Sequence, residues 1–344
     1  MAHTPTMERI SLSNTAFEGN NNAYLLQSNG TTAMVDTGDA TEATRDHLEA
    51  ELADRGLSFA DIDVIFLSHF HGDHTGLAAT IQEASGATVY AHEADAGLIS
   101  QDPEAQEEME ELQLGYFEEW DIPEDQQAVL KSIMHEDNGL FGAGPDVEPF
   151  TDGDTFQVGD YEVTARHTPG HALGLSSFEL TVDGEDVVAS GDALLPVYTP
   201  NVGGADVRVE GALGKYLETL LEYVEADYDR AWPGHRDPIE DPAARAAHII
   251  DHHEERAWRV LDVLRERGPS TPWEISAELF GDLESIHILH GPGESYAHLE
   301  HLEADGYVER EGKEYRLTDA ARERMVEIDD ERWPLVDEDY EHTL

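Results

Sequence analysis

Hydrophobic and polar residues alternate in different ways along this chain, and each pattern predicts a different element. Residues 8–36 alternate with a period of two, which is typical of β-strands, and they end on Asp36 before a glycine turn. Leu48 and Leu52 lie four apart, so residues 41–56 predict a helix. An unbroken apolar run at residues 64–67 predicts a buried strand. This succession of strands and helices favours a layered α/β fold.

Later strands end in turns of small residues that carry ligand-type side chains. Residues 161–165 predict a strand that leads to His171, and residues 186–189 predict one that leads to Asp192. After a helix, a third turn of this kind ends at His235. Each turn therefore delivers one potential metal ligand where a strand ends.

The strand at residues 64–67 leads into the densest group of such side chains, which comprises His69, His71, Asp73 and His74. Residues two apart in extended chain project to the same side, so His69 and His71 can hold one ion. Gly72 lets the backbone turn and point Asp73 and His74 elsewhere. One loop can thus serve two metals. The alternative, histidines that are merely solvated or satisfied in a core, fits this spacing poorly.

The charge of the chain is extreme. Its formal net charge is -55, yet 40% of its residues are hydrophobic, so a folded protein with an acidic surface is a better interpretation than disorder. Lysine occurs only at Lys131, Lys215 and Lys313, and arginine supplies the other 17 positive charges. This composition resembles that of proteins from salt-in halophiles, so we expect the fold to loosen at low ionic strength.

Composition also excludes several classes of function. Without cysteine the chain has no disulfide, thiolate ligand or cysteine nucleophile. It shows no export signal at residues 1–5 and no apolar run near the ~20 residues that span a bilayer, so we expect a cytoplasmic enzyme with no membrane partner. An acidic surface argues against nonspecific nucleic-acid binding.

Taken in order, these motifs resemble those of metallo-β-lactamase-fold hydrolases across residues ~8–250. The resemblance implies an αββα sandwich with a binuclear site at one edge of the sheets. Asp36 corresponds to the first motif of that family and would hydrogen-bond around the ligand loop. The implied ligands are His69, His71 and His171 for one ion, Asp73, His74 and His235 for the other, and Asp192 as the bridge between them.

The ligand types indicate the chemistry. Imidazoles and carboxylates favour zinc, with manganese or iron as alternatives. Two divalent ions would lower the pKa of a bridging water from 15.7 toward ~7 and supply hydroxide. The position of Asp73 in the family implies that it orients this nucleophile or takes up its proton.

Departures from family subtypes narrow the substrate. Secreted class B β-lactamases carry a cysteine at the position of Asp192, and β-CASP nucleases insert a domain before the equivalent of His235, where this chain has about 40 residues. We therefore expect a hydrolase of a small ester, thioester or lactone. The alternatives are a single-strand RNA endonuclease of the same fold and a persulfide dioxygenase with one iron.

The composition and hydrophobic pattern of the chain predict two further regions. Residues 97–148 form an acidic helical insertion in the catalytic domain at residues 1–250, and it is either a solvated cover or a lid over the substrate. Residues 251–326 predict three helices, the third from about Gly293 to Asp305, and a hairpin around Gly312. This order resembles a winged helix, followed by an acidic tail at residues 327–344.

The winged-helix-like module is a weak candidate for nucleic-acid binding. Residues 292–317 hold the basic residues Arg310, Lys313 and Arg316 against seven acidic ones, the opposite of what a groove reader needs. We expect a structural or dimerising module, compatible with a homodimer, with nucleic-acid binding as the alternative.

Overall fold

The computed structural model describes residues 6–12, 19–134 and 139–328. They form two compact units, one of residues 1–108, 137–200 and 218–247 and the other of residues 109–136, 201–217 and 248–344, within those described ranges. The strands of the first unit are β1 (Thr6–Leu12), β2 (Asn21–Ser28), β3 (Thr31–Val35), β4 (Val64–Phe66), β5 (Thr88–His92), β6 (Val147–Phe150), β7 (Thr155–Val158), β8 (Tyr161–His167), β9 (Ser176–Val182), β10 (Glu185–Gly191) and β11 (Arg230–Pro233).

Helices follow or precede these strands. The first eight are α1 (Glu42–Asp54), α2 (Gly72–Thr75), α3 (Ala78–Ser85), α4 (Glu93–Ile99), α5 (Pro103–Glu119), α6 (Glu124–Met134), α7 (Ala212–Ala226) and α8 (Pro242–Arg267). The remaining elements are α9 (Pro272–Phe280), α10 (His287–Ala304), β12 (Val308–Glu311), β13 (Glu314–Leu317) and α11 (Asp319–Ile328). No helix within the described ranges is both long and apolar enough to cross a bilayer.

Two sheets organise the first unit. Strands β1 to β6 lie side by side in chain order, antiparallel from β1 to β3 and parallel from β3 to β6. The second sheet has the order β11-β10-β9-β8-β7, in which only β10 and β11 are parallel. A parallel pair needs a crossover connection, and α7 lies in the one between β10 and β11.

Strand β2 shows why the sheets must be covered on both sides. Its Tyr24 and Leu26 pack into the core between the two sheets, where Phe66 meets Phe178 with ring centroids 5.2 Å apart. The alternate residues Ala23 and Leu25 pack into a second core. A strand with two apolar faces is stable only when both are buried.

Helices supply the outer layers. Leu48 and Leu52 of α1 and Ile81 of α3 are fully buried against the first sheet. On the second sheet, the hydroxyl groups of Ser177 in β9 and Tyr223 in α7 are 2.6 Å apart. The unit is thus an αββα sandwich, and the α/β fold predicted from the sequence is confirmed.

A side-chain cap accounts for the start of α1, and close packing separates α2 from α3. The side chain of Thr41 caps α1 by accepting a hydrogen bond from the amide of Thr44. Residues 75–85 form the end of α2 and all of α3, and the two helices are separated near Gly76. A Cβ on Gly76 would lie 2.3 Å from the amide nitrogen of Ala40, so only glycine lets the chain pass at this point.

The second unit has its own core, formed by residues of α8 to α11 and of the β12–β13 hairpin. Thr271 and Glu274 make a reciprocal capping box at the start of α9. The hairpin predicted around Gly312 is confirmed. Helix α10 begins at His287 rather than near Gly293, so that boundary was wrong.

Helix α10 was misjudged because glycine and proline usually mark a helix end. Here Pro292 lies inside the helix. A Cβ on Gly293 would come within 2.4 Å of the Cα of Gly204, so this glycine serves close packing rather than a turn. The predicted acidic tail lies outside the described residues from residue 329 onward.

Candidate metal centre

The predicted ligand residues meet at one edge of the sandwich in the first unit. His69 and His71 follow β4, whereas His171, Asp192 and His235 follow β8, β10 and β11. Strand β4 pairs with β3, and the amide of Asp36 at the end of β3 bonds to the carbonyl of Phe66 at 2.9 Å. Folding thus places at one edge side chains that are up to 199 residues apart in the sequence.

Three imidazoles form the first half of the site. His69 Nε2 lies 2.9 Å from His71 Nδ1, which in turn lies 3.2 Å from His171 Nε2. Ring nitrogens at these distances can share one tetrahedral ion about 2.0–2.1 Å from each. We refer to this set as the three-histidine site.

Asp73, His74 and His235 form the second half. Oδ2 of Asp73 lies 3.9 Å from His74 Nε2 and 3.6 Å from His235 Nε2. These distances are too long for hydrogen bonds and suit a cation among the three atoms. The short helix α2 carries Asp73 and His74 away from His71, which is its extended N-terminal cap.

Asp192 stands between the two halves. Its Oδ2 lies 3.7 Å from His171 Nε2 and 3.4 Å from His235 Nε2, and its Oδ1 lies 3.6 Å from His74 Nε2. One carboxylate therefore faces both sets. This is the arrangement that the sequence resemblance predicts for a bridging ligand.

Two buried atoms test whether a metal fits. Within the described residues, His74 Nε2 and Asp192 Oδ1 are inaccessible to solvent and have no hydrogen-bond partner. An orphaned polar atom in a folded core is costly, and a divalent ion would satisfy both. The donors are nitrogen and oxygen only, so they fit zinc and also accept manganese or iron.

Asp36 braces the ligand loop. Its Oδ1 accepts the amide of Ser68 at 2.8 Å, and its Oδ2 lies 2.8 Å from both Ser68 Oγ and His74 Nδ1. The bond at Nδ1 leaves Nε2 of His74 to face the metal position. Asp36 has a positive φ of 56°, a backbone conformation that aspartate and asparagine adopt more often than other non-glycine residues.

Other supporting residues were missed from the sequence. Asn21 Nδ2 donates to Oδ2 of Asp73 at 3.0 Å, and His235 Nδ1 lies 3.2 Å from the Gly19 carbonyl oxygen. Ser68 Oγ lies 3.0 Å from His69 Nδ1. The only available signal was the asparagine run at residues 20–22, and its spacing to the ligands depends entirely on folding.

Glycines make room where the ligands crowd together. A Cβ on Gly234 would lie 2.3 Å from Asp192 Oδ1, and one on Gly191 would lie 2.7 Å from Ser68 Cβ. Gly72, which the sequence assigned to a turn, starts α2 without a positive φ. A Cβ there would lie 3.0 Å from the Leu140 backbone, so space rather than a turn explains this glycine.

Burial and neighbouring charges compete in the metal-free site. Burial acts to lower the pKa of His74, but the carboxylates of Asp192, Asp73 and Asp36 outweigh it and raise that pKa well above its usual value. Burial also lowers the pKa of His69, which the charges of His74 and His71 lower further. The pKa values of His74 and His69 are therefore shifted in opposite directions.

Two other histidine groups are not assigned to the centre. His167 Nε2 lies 2.7 Å from the Leu173 carbonyl oxygen, and its ring stacks on His92 at 4.2 Å, so its contacts are structural. In the second unit, His253, Glu294 and His298 also cluster. That carboxylate is already paired with Arg256 at 3.0 Å, which disfavours a further cation.

Comparison with known proteins identifies the family to which this chain is similar. The family model of the metallo-beta-lactamase superfamily matches residues 16–235. The chain is 24% identical to the lactamase-like protein aptB of Emericella nidulans over 274 residues, which cover 76% of this chain and 69% of that protein. It is also 24% identical, over 268 residues, to the atrochrysone carboxyl ACP thioesterase of Aspergillus chevalieri, covering 77% of this chain and 67% of that protein.

A solved structure extends the similarity to most of the chain. The crystal structure of a metallo-beta-lactamase family protein from Thermus thermophilus matches with a TM-score of 0.76 and 31% sequence identity, over 91% of this chain and 98% of that one. The family model alone spans more than half of the 344 residues. This chain therefore belongs to the metallo-beta-lactamase superfamily and is a metal-dependent hydrolase.

Proposed function

We propose that this protein is a binuclear hydrolase of a small thioester, ester or lactone. The observation that carries the proposal is the position of Asp192 between two complete ligand sets, with Oδ2 facing His171 and His235 and Oδ1 facing His74. A thioester is the first choice because a relative that matches 77% of this chain is named as an ACP thioesterase.

The residues of the chain take distinct parts in this reaction. When bound, two divalent ions would supply an activated water and polarise the scissile carbonyl. The three-histidine site would hold one ion, Asp73, His74 and His235 would hold the other, and Asp192 would serve as a ligand common to both. Asp73 also orients the attacking water and takes up its proton, with its carboxylate held by the Asn21 side chain at 3.0 Å.

The charges of the second unit support a small substrate over RNA. Arg310 pairs with Glu119 at 2.8 Å, Lys313 with Asp121 at 3.0 Å and Arg316 with Glu309 at 3.1 Å. Each of these three basic residues thus forms an ion pair with a carboxylate. Nucleic-acid binding needs such groups directed at phosphates. We therefore propose a winged-helix-like module with a structural or dimerising role.

Metal analysis is the first test. Protein kept in high salt should contain two divalent ions per chain by mass spectrometry, with zinc expected. His69→Ala should reduce that count, whereas His253→Gln should leave it unchanged per folded chain because that cluster is not assigned to metal. A single iron would instead indicate a persulfide dioxygenase.

Activity is the second test. Metal-replete protein should hydrolyse thioesters, lactones or small esters, and His69→Ala should abolish the turnover. Cleavage of single-stranded RNA without ester or thioester turnover would replace this proposal with the nuclease alternative. No turnover on any of these substrates would refute the proposal outright.

A further inference from the structure

Asp95 is a buried carboxylate that has no part in the function proposed so far. It lies on α4 with 0% exposure. Its Oδ2 accepts a hydrogen bond from the amide of Phe70 at 3.1 Å, and its Oδ1 accepts one from the amide of Gly174 at 3.0 Å. A buried carboxylate with two backbone donors holds both segments firmly, because charge-assisted hydrogen bonds are stronger than neutral ones.

The two amides belong to the segments that carry the three-histidine site. Phe70 lies between His69 and His71, and Gly174 follows His171 by three residues. These segments, residues 68–71 and 171–176, are separated by about 100 residues of chain. They are also joined by the Ser176 amide, which donates to the Ser68 carbonyl at 2.9 Å. The side chain of Asp95 contacts both segments.

Gly174 permits this contact. A Cβ on Gly174 would lie 2.5 Å from Asp95 Cγ and 2.7 Å from its Oδ1. Separations below 3.0 Å require one partner to move, so any side chain at residue 174 would displace the carboxylate. The hydrogen bond between Asp95 and the Gly174 amide therefore depends on glycine at residue 174.

We propose that Asp95 is a positioning residue that fixes the distance between His71 and His171 and so sets the affinity of the three-histidine site. It acts only on that site. Asp73, His74 and His235 are positioned by other contacts, namely Asn21, Asp36 and the Gly19 carbonyl. This inference rests on the two-ion function proposed above.

Asp95→Asn is the first variant. Asparagine keeps the shape of the side chain, but its single carbonyl oxygen can accept only one of the two amides, and its NH2 group would face the other. We expect the affinity of one ion to fall about 10- to 100-fold, the usual effect of removing a residue that orients metal ligands. Competition against a chelator measures it, and the visible spectrum of the cobalt-loaded protein reports the change at the ion.

Two backgrounds identify which ion is affected. In His235→Ala, which impairs the second ligand set, Asp95→Asn should still weaken the remaining ion by the same factor. In His171→Ala, which impairs the three-histidine site, it should have no further effect. Equal effects in both backgrounds, or in neither, would overturn the proposal.

Two more variants separate positioning from stability. Gly174→Ala keeps the Asp95 carboxylate but adds a methyl group that clashes with it. This variant should therefore reproduce the loss of affinity even if Asp95→Asn folds poorly. Leu48→Ala, in the core of the same unit, should lower the melting temperature and leave both affinities unchanged. If Gly174→Ala only lowers the melting temperature, Asp95 is structural.

These readouts do not depend on turnover. If the wild-type chain binds two ions and hydrolyses no ester, thioester or lactone, the proposed function fails and the positioning role of Asp95 is still measured. If hydrolysis occurs and Asp95→Asn changes neither affinity, the proposed function stands and this inference fails.

Discussion

At the metal centre, one hydrogen bond to Nδ1 decides which ring nitrogen of His74 and of His235 is free to bind a metal. His74 has Nδ1 against Asp36 at 2.8 Å, and His235 has Nδ1 against the Gly19 carbonyl at 3.2 Å. Each bond fixes the ring orientation and leaves Nε2 for the metal. The groups that bond to Nδ1 are therefore as necessary for the orientation of the site as the ligands themselves.

Asp36 gives the first prediction at this scale. Asp36→Asn would leave one acceptor for the Ser68 amide, the Ser68 hydroxyl and the His74 ring, so metal affinity should fall about 10- to 100-fold in a chelator competition. The control is Asp63→Asn, an exposed carboxylate that accepts the amide of Thr32 at 2.9 Å. Equal affinity in Asp36→Asn and the wild type would contradict the bracing role.

Protonation gives the second prediction. In the metal-free protein burial acts to lower the pKa of His74 and of His235, but nearby carboxylates outweigh it and raise both above the usual value, so these rings keep their protons to a higher pH than a free imidazole does. A metal binds only neutral imidazole and must displace them. Affinity should therefore rise with pH between 6 and 8, by about tenfold per unit for each proton displaced.

Proton release measures this directly. Adding metal to the metal-free protein in weak buffer should acidify the solution, and chelator competition at several pH values gives the slope. Affinity that is flat over this range, with no acidification, would show that the two rings are already neutral.

At the scale of elements, local sequence sets a helix start that has a side-chain cap, but not one that lies in a run of glycine and proline. Helix α9 begins at Pro272 because the side chains of Thr271 and Glu274 accept hydrogen bonds from each other's backbone amides. Helix α10 differs because the stop signals at residues 291–293 are overridden by packing against Gly204. Tertiary contacts there outweigh the low helix propensity of glycine and proline.

The capping box gives the third prediction. Thr271→Ala removes the acceptor for the Glu274 amide and should lower the free energy of unfolding by about 1 kcal/mol, measured by denaturant titration in high salt. Thr271→Ser keeps the hydroxyl and should restore most of that loss. If serine and alanine destabilise equally, the side-chain cap contributes nothing.

At the scale of the whole molecule, charges of one sign predominate. The chain has 75 acidic and 20 basic residues. The screening length falls from ~10 Å at 0.1 M salt to ~3 Å at 1 M, so added salt should relieve repulsion across the surface. We therefore propose that the fold is adapted to high ionic strength.

Salt dependence gives the fourth prediction. The melting temperature should rise between 0.1 and 2 M KCl, because the folded state brings its acidic residues closer together than the unfolded chain does. Sucrose at matched osmolarity is the control for effects unrelated to charge and should raise it less. A melting temperature that stays level or falls in KCl would contradict adaptation to salt.

The sequence alone determined the layered α/β fold, because strand and helix periodicities are local properties of the chain. It also named the seven candidate ligands and Asp36, since histidines and aspartates after predicted strands are visible without a structure, but it missed the supporting residues Asn21 and Ser68. His69 and His71, two residues apart, could even be assigned to the same half of the site.

Only the tertiary structure decided how these groups face one another. That Asp192 lies between two sets, that Asn21 holds Asp73, and that Asp95 joins the segments of His71 and His171 all depend on contacts between distant parts of the chain. Sequence spacing carries no distance information across such separations. The glycines at residues 72, 76 and 293 show the same limit, because their need for space becomes visible only when the neighbouring backbone is in place.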